Sequence, residues 1–174
     1  MATASALTTL LKNLEVNLKD TTNFTGLSQL KWSAKTQHIV AVFLPVYQGS
    51  VPFFQIAPGA CAKANAVGRV DTQQVLVHVC WGIVSDPQGY YTLAGTAALD
   101  SIGTLMEEIE KALTRPEPYN HAPYNTGSYT AQTNVHAAYP VEWTPVQPLD
   151  FPGIEGRLFM VQTLTMEYHI EKGL

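Results

Sequence analysis

Between Ala6 and Leu18 the leucines at positions 7, 10, 11, 14 and 18 recur at three- and four-residue steps, which is the period of an amphipathic helix, with Ser5 available as its cap. Polar residues 20–26, rich in Thr and Asn, break that period. The run Ile39, Val40, Ala41, Val42, Phe43, Leu44 is too short and too β-branched for a helix and stops at Pro45, so it predicts a buried strand. Residues 45–74 carry Pro45, Gly49, Pro52, Pro58, Gly59 and Gly68, which excludes a long helix. A short strand over 51–56 fits there only at a sheet edge, because Pro52 cannot donate to a ladder.

Strict alternation over 74–84 sets Val75, Val77, Val79, Trp81 and Ile83 on one face and Leu76, His78 and Cys80 on the other, the pattern of a strand. Asp86, Pro87, Gln88 and Gly89 then signal a turn. Leu99, Ile102, Leu105, Met106, Ile109 and Leu113 follow helical spacing and end before Pro116. Glu107, Glu108, Glu110 and Lys111 read as the solvated face of that second helix. Alternation returns over 158–170, apolar on much of both faces, which predicts a central strand or one covered by another subunit.

Composition narrows the class. A chain of 174 residues is the size of one domain and can bury a core without covalent staples. Its charged fraction of 14% lies well below the usual quarter, so much of the surface is uncharged, as in proteins that cover surface with partners. The net charge is -4 and the ten Lys and Arg are scattered, so no basic cluster serves tight nucleic-acid binding. Cys61 and Cys80 form no CxxC or Cys/His framework and read as reduced, small apolar fillers. Neither a membrane span nor a secretion signal is expected.

Chemistry-bearing patterns do not emerge. His38, His78, His121, His136 and His169 lack HxH, HxxxH or HExxH spacing, so no metal site is expected. Neither GxGxxG nor GxxxxGK[ST] is present, and no cofactor is expected. GxSxG is missing as well, Cys80 lies in mid-strand, and the glutamates of the second helix lack apolar shielding, so no catalytic residue is expected.

Residues 116–156 differ from the rest, with seven prolines, three glycines and five Tyr or Trp residues. Short strands fit only over 130–138 and 140–143. Tyr119, Tyr124, Tyr129, Tyr139 and Trp143 are the candidate protein-interface residues, since rings with a polar tip bury area at modest entropic cost and still place a hydrogen bond. The competing reading folds this segment over its own sheet.

In order, the helix ALTTLLKNLEVNL, the strands HIVAVFLP and QVLVHVCWGIV, the helix LDSIGTLMEEIEKAL and the final strand GRLFMVQTLTMEYHI resemble the tail terminator proteins of long-tailed bacteriophages. The resemblance implies an α+β fold, a mainly antiparallel sheet flanked by two helices, with the proline-rich stretches 45–74 and 116–156 as insertions in a single domain. It also implies a virion protein of the tail or neck, made in the host cytoplasm. Its partners are then itself, as a hexameric ring, together with the tail tube protein and the head-side connector, with DNA passing through the lumen. No reaction is implied. Two other classes compete: a different assembling or adaptor protein, such as a head-tail joining subunit, and an enzyme or small-ligand binder with a pocket at His78 or His169.

Overall fold

Helix α1 spans Ala6–Leu18 and helix α2 Leu99–Thr114. The strands are β1 (Phe53–Ala62), β2 (Val70–Ser85), β3 (Tyr91–Ala94), β4 (Val135–Trp143), β5 (Gln147–Leu149) and β6 (Leu158–Glu171). The computed structural model describes residues 6–22, 24–30, 38–43, 52–63, 70–85, 91–94, 99–114, 135–149 and 158–171. Ser5 and all of the 116–134 stretch, with Tyr119, Tyr124 and Tyr129, lie outside the described residues.

The fold is α+β. One antiparallel sheet runs in the order β1, β2, β6, β4, with β3 continuing the β1 side against β2 and β5 continuing the β4 side against β6. The long final strand is central, as its two apolar faces require. Its register against β2 sets Val75 opposite Met166 and Val77 opposite Leu164 on one face, and His78 opposite Thr163 on the other. Both helices cover the first of these faces. Leu10, Leu14 and Leu18 of α1 and Leu105, Ile109 and Leu113 of α2 share one buried cluster with Val75, Val77, Val79, Trp81, Leu164, Met166 and Tyr168. Each such side chain contributes about 1.5–3 kcal/mol relative to exposure.

Polar bonds fix how the helices sit. The last carbonyls of a helix have no partner within it. In α2 these are met from three directions: Thr114 Oγ1 donates to the Lys111 carbonyl at 3.0 Å, Asn17 Nδ2 of α1 to Ala112 at 3.0 Å, and Tyr168 Oη of β6 to Leu113 at 2.8 Å. Glu108 reaches a short 3-10 helix over Thr25–Gln29, accepting from the Gly26 and Leu27 amides at 2.6 and 3.3 Å. A Cβ on Gly26 would lie 2.9 Å from the Glu108 carboxylate, so glycine permits this approach. Glu110 accepts from the Trp143 indole N–H of β4. The solvated face expected of α2 is therefore only partly one: Glu107 and Lys111 pair in solvent at 3.6 Å, while Glu108 and Glu110 are half-buried and bonded to other elements.

Several expectations need correction. Residues 39–43 form no buried strand. Only a single parallel bridge joins Ile39 to Ile56, with Val40 N–H donating to the Ile56 carbonyl and Ile56 N–H to the His38 carbonyl. The segment then bends away, leaving Val42 63% exposed. An apolar run needs a partner along its length to stay a strand, and β1 bulges just beyond Ile56, between Pro58 and Cys61. Gly59 sits in that bulge, where a Cβ would meet Gln74 at 3.0 Å. Of the edge strand expected over 51–56, residues 53–56 lie in β1, which runs on to Ala62, and Val51 lies outside the described residues. Cys80 is a buried filler, but Cys61, at the far end of β1, is exposed. The strands expected over 130–138 and 140–143 are, within the described residues, one strand, β4, which carries Pro140 by lying at the edge and bulging between Pro140 and Glu142.

Tyr168→Phe keeps the ring and orphans the buried Leu113 carbonyl. It is expected to lower unfolding free energy by about 1–3 kcal/mol, read from urea titration with unchanged m-value. A midpoint equal to that of the parent would show that this bond does not hold α2 to the sheet.

Candidate functional site

The second face of the sheet, opposite the helices, gathers the polar side chains. Cross-strand pairing sets Thr72 opposite His169, Gln74 opposite Glu167 and His78 opposite Thr163. On the β4 side Tyr139 stands opposite Glu167, and Ala137 opposite His169. Period-two alternation in β2, β4 and β6 produces this convergence, because residues two apart share a face and register aligns them across strands.

Three of these groups meet at the β4–β6 seam. Tyr139 Oη donates to Glu167 Oε1 and lies 2.9 Å from His169 Nε2, while its ring meets the imidazole edge-on with centroids 5.5 Å apart. Glu167 Oε1 and His169 Nε2 are 3.3 Å apart. Hydrogen bonding from Tyr139 holds the Glu167 carboxyl below its ordinary range, with His169 adding to the effect, and the same bond raises the Tyr139 phenol. The cluster is open to solvent, so these bonds orient Tyr139 more than they stabilise the fold.

Further along the face, His78 Nδ1 lies 2.8 Å from Thr163 Oγ1 and its ring packs on Phe43 at 4.7 Å. Burial pushes its pKa down to about 4. Beside it Phe53, Cys80 and Phe159 form a small second core, and burial pushes the Cys80 thiol up to about 12. A thiol so disposed packs rather than attacks. Among the described residues no group of three or more His, Cys, Asp and Glu side chains could hold a metal ion, and no helix is long and apolar enough to cross a membrane.

The two described members of the expected interface set occupy opposite faces. Tyr139 is 38% exposed on the polar face. Trp143 lies opposite Leu164 on the helix face, packs against the main core and donates to Glu110, so part of its ring serves its own subunit. Sequence reasoning missed two neighbours. Val141, the extra residue of the β4 bulge, is 50% exposed, and Val146, between β4 and β5, is 47% exposed. Their signal was present in the prolines at 140 and 145, which mark an interrupted edge. Compared with protein-family models and with curated proteins, the chain gives no match.

His78 makes stability depend on pH. Unfolded, the imidazole gains its proton at about pH 6.5, whereas in the fold it does so only at about 4. Between these values the unfolded chain binds more protons, so stability present above pH 6.5 is lost as pH falls, at up to about 1.4 kcal/mol per pH unit before discounting for partial exposure. Urea midpoints measured between pH 7 and 5 should fall less steeply for His78→Gln than for the parent. Equal slopes would show that the imidazole is not desolvated in the fold.

Proposed function

We propose that this chain is a structural virion subunit of a phage tail or neck, a tail terminator whose copies close into a six-membered ring that caps the tail tube and joins it to the head-side connector. One observation carries the reading: the edge formed by β4 and β5 exposes Tyr139, Val141 and Val146, large side chains that a lone soluble domain has reason to cover. Three further features agree with it. The helices α1 and α2 and the strands β2 and β6 fall in the order of four elements of the resemblance, while its strand HIVAVFLP is not formed over the described residues 39–43, and the low charged fraction suits a surface shared with partners. A net charge of -4 without a basic cluster suits a passage that lets DNA through without holding its phosphates.

The exposed edge serves equally a different assembling subunit of the same particle, such as a head-tail joining protein. Symmetry and position in the particle separate the two, since both rest on self-association or partner contact and neither asks for a reaction.

Light scattering of the purified protein should report a mass several times that of the chain, and negative-stain images should show closed rings. Monomer at high concentration, with no ring in the native particle, would overturn the proposal. Val141→Asp with Val146→Asp should abolish assembly. The same pair should leave the unfolding midpoint nearly unchanged, because exposed positions shift stability by about 0.5 kcal/mol or less.

A further inference from the structure

Three side chains of different chemistry bring their heteroatoms to one spot at the β4–β6 seam. Tyr139 Oη lies 2.5 Å from Glu167 Oε1 and 2.9 Å from His169 Nε2, and the last two are 3.3 Å apart. Glu167 and His169 stand two apart on β6, so strand alternation turns both to the same face, and the register of β4 sets Tyr139 opposite Glu167. Gln74 of β2, opposite Glu167 on its other side, gives that carboxyl a further hydrogen bond. As a stabilising device the cluster achieves little. The His169 and Glu167 side chains are 35% and 22% exposed, and bonds made that close to water barely offset the entropy of holding three side chains in one geometry.

We propose that Tyr139, Glu167 and His169 form a Zn²⁺ site, with water in the open position. The donor set selects the ion. An imidazole nitrogen disfavours Mg²⁺ and Ca²⁺, which take oxygen ligands, and a cluster without a thiolate disfavours Cu⁺. One nitrogen with two oxygens suits Zn²⁺, whose bonds of about 2.0–2.2 Å in a tetrahedron set neighbouring donors about 3.3–3.6 Å apart. The Glu167–His169 edge, at 3.3 Å, already has that length. The two shorter edges both end on Tyr139 Oη. They open by roughly 1 Å or less when the phenol proton between Oη and Oε1 passes to water and the ion takes its place. Gln74 is the outer hydrogen-bond partner that a ligating carboxylate requires. Because the third ligand is a phenol on another strand, no spacing of His, Cys, Asp and Glu along the chain announces the site. Binding here does not depend on ring closure, since all three ligands come from one copy.

Calorimetric titration of the full chain with Zn²⁺ tests this, in a Cys61→Ser background so that the exposed thiol does not take the ion. The expected result is one Zn²⁺ per chain at this cluster, a tyrosinate band growing in the ultraviolet difference spectrum, and no response to Mg²⁺. Tyr139→Phe should abolish the band and weaken binding at least about tenfold, His169→Ala should remove the site, and Gln74→Leu should weaken it by about tenfold. Urea midpoints of these variants without Zn²⁺ should stay near that of the background protein, which separates loss of a ligand from loss of the fold. Should a variant unfold, the tyrosinate band of the background protein itself decides the matter. No uptake of Zn²⁺, uptake that gives no tyrosine signal, or uptake equal in Tyr139→Phe and His169→Ala would each overturn the proposal.

Discussion

The C-terminal turn of α2 is the point on which the arrangement of this protein depends. A helix end left in a core exposes carbonyls that cost free energy unless something donates to them. Here Thr114, Asn17 and Tyr168 meet the carbonyls of residues 111, 112 and 113, and two of those donors come from α1 and from the central strand β6. One turn earlier, Glu108 and Glu110 accept from the 3-10 helix and from Trp143 of β4. Apolar packing would hold α2 against the sheet in several rotations. The directional bonds select one, because each donor reaches its acceptor only when the helix is seated at this depth and angle.

That seating makes the two faces of the sheet unequal. The helix face takes the long aliphatic side chains of β2 and β6, while the opposite face keeps Thr, Gln, His and Glu in register, with Tyr139 at its margin. With both helices on one side and β6 in the centre, the β4 margin carries the exposed large side chains Tyr139, Val141 and Val146. Both margins carry devices that discourage indiscriminate pairing: a bulge and the bridging residues 38–40 at β1, bulges and Pro140 at β4. Such edges accept only a surface that complements their side chains. A subunit meant to assemble in one way needs that selectivity, and the proposed function draws on it.

The helices α1 and α2 and the strands β2 and β6 were legible because each is long enough for its hydrophobic period to be read without knowing what it touches. The candidate site was much less so. Tyr139 could be singled out as an exposed aromatic, but its alignment with Glu167 and His169 follows from the register of β4 on β6, shifted by bulges that no local pattern announces. Trp143 looked like an anchor for a partner, yet its indole N–H is met by Glu110, 33 residues away. Cys61 and Cys80 looked alike in sequence and differ in burial because one lies past a bulge at the strand's end and the other in mid-sheet.

By itself the amino-acid order determined the α+β class, the two helices, the long central strands and the lack of local catalytic or ligand motifs, since all of these are encoded in the spacing of neighbouring residues. Tertiary structure decided which glutamates of α2 meet water and which cap other elements. It also decided that residues 39–43 touch β1 only once, that both helices share one face, and that Val141 and Val146 stand exposed at an edge. The physical reason is separation along the chain. Asn17 bonds a carbonyl 95 residues away, and β2 pairs with β6 across most of the second half of the chain, so these outcomes depend on partners that no local window contains.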